Sequence, residues 1–166
     1  MDLTEIPAVL DWMGRDNALQ RQWSPLASRP IRQADPLTRL WGFRTDGVRA
    51  AASLARRNGR RLKVVRYVHA PEREAGAQFE ELELVARSRH YLVQDELCLD
   101  VGRPMLMEYR SGLRAARRLL RGGFADGLLA PTYEHLSPNI AEYERLLRDL
   151  YAHGYFVALA ESETGR

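Results

Sequence analysis

The sequence predicts an α/β fold: a four-stranded parallel sheet with helices on both faces, preceded by an α-helical amino-terminal extension. Three observations predict it. From Leu62 onward, short apolar or β-branched runs alternate with amphipathic helical runs, the order of repeated βα units with right-handed crossovers. Glycines close the helical runs at Gly122-Gly123 and Gly154. Ser111 and Ser137 stand where those two runs begin. The chain divides into an arginine-rich extension over residues 1–61 and an α/β domain over residues 62–166.

Leu3–Trp23 reads as a helix capped by Thr4, with Ile6, Leu10 and Met13 on one face. Ser24–Leu40 carries Pro25, Pro30 and Pro36 with little periodicity and reads as a loop. Trp41-Gly42-Phe43 is an aromatic knot. Asp46 can cap a second helix over Gly47–Asn58, with Val48, Ala51, Ala52 and Ala55 inward and Gly59 ending it. Leu62–Val68 is a strand. Glu72–Arg89 is a helix that buries Phe79, Leu82, Val85 and Ala86. Tyr91–Leu99 is a second strand and Val101–Tyr109 a loop. Ser111 can cap the next helix, which turns Leu113, Ala116, Leu119 and Leu120 inward and Arg114, Arg117, Arg118 and Arg121 outward. Ala125–Ala130 is a third strand. Ser137 caps and Pro138 begins a helix to His153 that buries Ile140, Tyr143, Leu147 and Leu150. Tyr155–Ala160 is the fourth strand. In such a sheet the strand ends near His69, Asp100, Pro131 and Glu161 meet on one edge, where ligands of open α/β sheets sit.

A chain of 166 residues holds one good core and a modest extension. No apolar run reaches the roughly 20 residues of a membrane span, and the acidic start Met1-Asp2-Leu3-Thr4-Glu5 lacks a secretion pattern. A cytoplasmic protein with no membrane partner is expected. Cys98 is the single cysteine, which excludes an internal disulfide and a cysteine metal site; a small core residue is expected. Residues 1–63 hold 12 Arg/Lys against 6 Asp/Glu, whereas residues 64–166 hold 13 against 16. All excess positive charge is therefore in the first third. Arg56, Arg57, Arg60 and Arg61 gather at one helix end, as candidate contacts to DNA phosphates or as complements of the helix dipole. The preference for arginine over lysine also fits a genome rich in G and C.

The order of parts from Leu62 to Glu161 resembles the catalytic domain of the serine recombinases, the resolvase and invertase family. The elements that carry the resemblance are Tyr67-Val68-His69-Ala70-Pro71-Glu72, a helix with Ala77-Gln78-Phe79-Glu80-Glu81-Leu82, a strand ending at Asp100, Arg110-Ser111-Gly112-Leu113, and Glu134-His135-Leu136-Ser137-Pro138. The match is specific from Arg110 onward and loose before it. The resemblance implies a resolvase-like sheet and, in its active members, a serine that attacks a DNA phosphodiester while arginines stabilise the phosphoryl oxygens.

The departures imply an inactive site. The nucleophile position is Pro71, which has no side-chain oxygen. His69, His135 and Pro138 stand where the family has arginines, and Glu134 stands for its aspartate; Arg110 alone of the arginine cluster is retained. Losing one charge-stabilising donor costs on the order of 10²–10³ in rate, so this set leaves nothing of the mechanism. The family's long subunit-joining helix and carboxyl-terminal DNA-binding domain have no counterpart in the sequence. The expectation is a non-catalytic domain, without metal or cofactor, serving as an accessory or interaction module in a DNA-linked process. Its partners would be DNA, another protein or a second copy of itself. Two other readings stand beside it. One is a phosphodiesterase-type enzyme in which His69, His135, Glu134 and Arg110 share one open cleft, with or without a metal. The other is a purely protein–protein module with an apolar patch near Trp41 and Phe43.

Overall fold

The computed structural model describes residues 34–103 and 105–165. The helix expected at Leu3–Trp23 and most of the proline-rich stretch after it lie outside them. From Asp35 the chain forms one compact unit. In order it contains α1 (Pro36–Arg57), β1 (Lys63–His69), α2 (Glu72–Ser88), β2 (Leu92–Asp100), a 3₁₀ turn (Met107–Tyr109), α3 (Ser111–Arg121), β3 (Gly127–Ala130), a four-residue α4 (Tyr133–Leu136), α5 (Ile140–Ala152) and β4 (Phe156–Leu159).

The sheet is all-parallel, in the order β2-β1-β3-β4. Period-2 alternation assigns its two faces. Val65, Tyr67, Cys98, Leu128, Ala130, Val157 and Leu159 pack under α3, α4 and α5, with Leu113, Leu120, Leu136, Tyr143 and Leu147 from the helices. Val64, Val68, Leu129, Phe156 and Ala158 face the other way, onto Ala75, Phe79, Leu82 and Ala86 of α2. Helices thus cover both faces as expected. Cys98 is a buried core residue, and burial raises its thiol pKa to about 11.

Helix α1 starts eleven positions before the expected Gly47. In the sequence Pro36 reads as a breaker. Here it occupies the first turn, where proline loses no hydrogen bond, and Asp35 caps by accepting from the Thr38 amide at 3.3 Å. Trp41-Gly42-Phe43 is therefore helical rather than a loop knot, and Asp46 caps nothing. The helix is not a separate extension: Leu40 joins one core and Ala55 the other, and Phe43 meets Tyr151 of α5 with centroids 5.2 Å apart.

Other boundaries also differ locally. α5 is capped by Asn139, whose side chain accepts from the Glu142 amide at 3.0 Å, so Ser137 and Pro138 precede the helix. Ile140 is exposed, not buried. α3 has no cap from Ser111 of the expected kind; its amides are met from across the sheet edge, as described next.

Candidate functional site

The parallel strands bring His69, Asp100 and the segment after Ala130 to one edge, and His69 and Asp100 are register partners. Asp100 is 3 % exposed. Its Oδ1 accepts from the Gly112 amide at 2.8 Å and its Oδ2 from the Leu113 amide at 2.9 Å. Oδ2 also accepts the Tyr67 hydroxyl at 2.9 Å, and the Ser111 hydroxyl approaches Oδ1 at 3.4 Å. A carboxylate from β2 therefore caps the first turn of α3, a position favoured by the helix dipole. Gly112 makes this approach possible. A Cβ there would stand 2.5 Å from the Leu99 carbonyl carbon and oxygen. Tyr67 is fully buried, and burial first, then the adjacent Asp100 charge, hold its phenol strongly protonated.

Arg110 is 1 % exposed. Its Nε donates to the Met105 carbonyl at 2.9 Å, and its Nη1 donates to the carbonyls of His135, at 3.2 Å, and Leu136. The guanidinium thus ties the 3₁₀ segment and α3 to the end of α4. It faces backbone oxygens rather than an open cleft.

His69 and His135 do come together. The His69 backbone amide donates to His135 Nδ1 at 3.2 Å, which makes that nitrogen the unprotonated one. Burial lowers the pKa of both rings; the Arg110 charge adds to this at His69, and His69 itself adds to it at His135. The His69 Nε2 is buried with no hydrogen-bond partner among the described residues. Glu134 is exposed, and it makes no hydrogen bond or ion pair among them. The expected His69–His135–Glu134–Arg110 cleft is accordingly not assembled: the His135 ring is bonded to the His69 backbone rather than its ring, Arg110 is sealed, and Glu134 is exposed without a bond to them. Among the described residues no three His, Cys, Asp or Glu side chains group as metal ligands.

Pro71 and Pro138 are exposed, and Pro71 precedes α2 as its cap residue without a side-chain bond. Ser137 is fully buried. It donates to Glu142 Oε2 at 2.5 Å and accepts from the Asn139 amide at 3.0 Å. Glu142 Oε1 also accepts from the Met107 amide at 3.2 Å. Burial works against the Glu142 charge, but these donors outweigh it and hold its pKa below the usual range. The retained serine therefore braces a loop. Sequence reasoning missed Glu142 and the capping role of Asp100; the spacing of Asp100 before Arg110-Ser111-Gly112 was the one visible signal.

The four arginines at the end of α1 and just after it lie at the opposite end of the sheet, before β1 begins. Arg60 pairs with Asp126 at 2.7 Å, and Asp126 also accepts from the Lys63 amide. Arg61 donates to the carbonyls of His90, at 2.9 Å, and Tyr91. Arg56 and Arg57 are exposed on the last turn of α1. Two of the four thus have structural partners.

Strand order and parallel pairing define an open α/β domain with helices on both faces. The fold is that of the serine recombinase catalytic domain. The N-terminal catalytic domain of TP901-1 integrase matches it with a TM-score of 0.52 and 16% identity, over 59% of this chain and 76% of that one. The C-terminal catalytic domain of ISC1926 TnpA, an IS607-like serine recombinase, matches with a TM-score of 0.53 and 19% identity, over 61% and 71%. No family model and no curated protein matches the chain.

Proposed function

We propose that this chain is a catalytically inactive serine-recombinase-like protein that acts as an accessory or interaction module in a DNA-linked process. One observation carries the reading: the single arginine retained from the family's cluster is buried, and its Nε and Nη1 donate to the carbonyls of Met105, His135 and Leu136. A phosphoryl group needs donors aimed at an accessible oxygen, and this one is neither free nor accessible. The nucleophile position, Pro71, has no hydroxyl. The nearby oxygen of Tyr67 is sealed in the core and bound to Asp100. DNA, a protein partner or a second copy are its candidate partners, and the resemblance to recombinase domains supports the first of these.

The test is covalent chemistry. The protein is incubated with supercoiled plasmid and the mixture is resolved on a denaturing gel. No protein–DNA adduct is expected from the native chain or from Pro71→Ser. An adduct formed by the native chain refutes the reading.

A further inference from the structure

The outer face of α3 contains a cleft of about 330 Å³ lined by Met107, Glu108, Arg114, Arg117, Arg118 and Arg121. Four arginines against one glutamate give it a strongly positive lining. Their spacing of three, four and seven residues from Arg114 places them along one helix face. Asp149 partly offsets Arg117, at 2.5 Å, while Arg114 donates only to the neutral carbonyl of Glu108, at 2.8 Å. Arg118 and Arg121 are exposed and make no ion pair or hydrogen bond among the described residues. Arg117 Nε is buried without a partner there, a donor left over after the pairing with Asp149. The charge has no structural use that would account for all four residues. Leu113, Ala116, Leu119 and Leu120 on the opposite face already hold the helix to the sheet.

We propose that this α3 cleft binds the phosphate backbone of a nucleic acid, as a surface separate from the strand-end edge where Arg110 lies. The row from Arg114 to Arg121 is about 10 Å long at 1.5 Å per residue. Laid along the duplex axis, that length covers about three phosphate-to-phosphate steps of one strand, which advance about 3.4 Å each. Guanidinium forks suit phosphate oxygens and remain charged at any working pH. The inference rests on the DNA-linked reading above and locates its contact.

The test measures binding of a fluorescein-labelled DNA duplex of arbitrary sequence across a salt series. The full chain is compared with Arg118→Glu/Arg121→Glu and Arg56→Glu/Arg57→Glu, each checked for an unchanged melting temperature. The native chain should bind with a salt-dependent affinity. The α3 pair should lose at least about tenfold, and the log–log salt slope should fall by about two contacts. The charge-neutral Arg118→Gln/Arg121→Gln should lose less but in the same direction. Binding that is unchanged in the α3 variants and lost in the α1 variant overturns this inference and leaves the DNA-linked reading standing. Absence of salt-dependent binding by the native chain overturns both. Equal competition by polyglutamate removes the assignment to nucleic acid.

Discussion

Arg110 and Asp100 are charged groups buried at the edge of a sheet, the first partnered by backbone carbonyls and the second by two backbone amides and the Tyr67 hydroxyl. A buried charge without partners is costly, so the donors of Arg110 and the acceptors of Asp100 define what these residues do. The same edge holds two histidines whose rings favour the neutral state. Their behaviour gives a pH dependence with a definite sign. Both pKa values lie below the ordinary 6.5 in the folded chain. Between the lowered values and 6.5, the unfolded chain binds more protons, so stability is full above about pH 7 and falls as pH drops below 6.5. The slope is at most about 1.4 kcal/mol per pH unit for each ring, and solvent screening reduces it at the partly exposed His69. Glu142 and Glu163, whose pKa values are lowered from 4.5, lose their contribution only at more acidic pH. Urea unfolding at a series of pH values should therefore show a decline between pH 7 and 5 that His135→Gln flattens. A flat native profile over that range contradicts the assignment of neutral rings.

Helix α3 shows how tightly an element is placed. Gly112 touches the backbone of Leu99, so the helix start rests directly on β2, with the Asp100 carboxylate over its free amides. In Gly112→Ala the added methyl would meet backbone atoms at 2.5 Å, and backbone cannot rotate away. The expected loss is about 1–3 kcal/mol, read as a lower urea midpoint; an unchanged midpoint would mean that α3 does not sit on the strand. α2 and α3 were legible because each buries one repeating face, and β3 and β4 because, buried on both faces, they read as short continuous apolar runs. The start of α1 was not, because a proline at the first helical position looks like a breaker until its N-cap is known. α4 was missed because four residues carry no period, and Ile140 was placed inside because it fits the spacing but is the exposed first residue of α5.

Across the whole molecule, α1 and the residues after β4 close the side of the sheet away from β2. Arg44 donates to both oxygens of Glu163, at 2.7 and 2.9 Å, and the Tyr143 hydroxyl donates to Oε1 at 2.6 Å. Burial opposes ionisation of Glu163, but these donors keep its pKa below the usual range. This buried triad links α1, α5 and the carboxyl-terminal segment. Its members are 119 and 20 residues apart, so no local pattern announces it. The α/β order, the strand-end edge and the resemblance to recombinase domains could be read from the sequence. The partners of Arg110 could not, because they come from segments whose meeting no local pattern announces. NMR mapping of the whole chain with duplex DNA tests that point most directly. The Arg110 Nε–H signal should exchange slowly and keep its position when DNA is added, while the arginine signals of α3 move. A DNA-dependent shift and rapid exchange at Arg110, with α3 unmoved, would mean that the edge opens to phosphate and that the site is not retired.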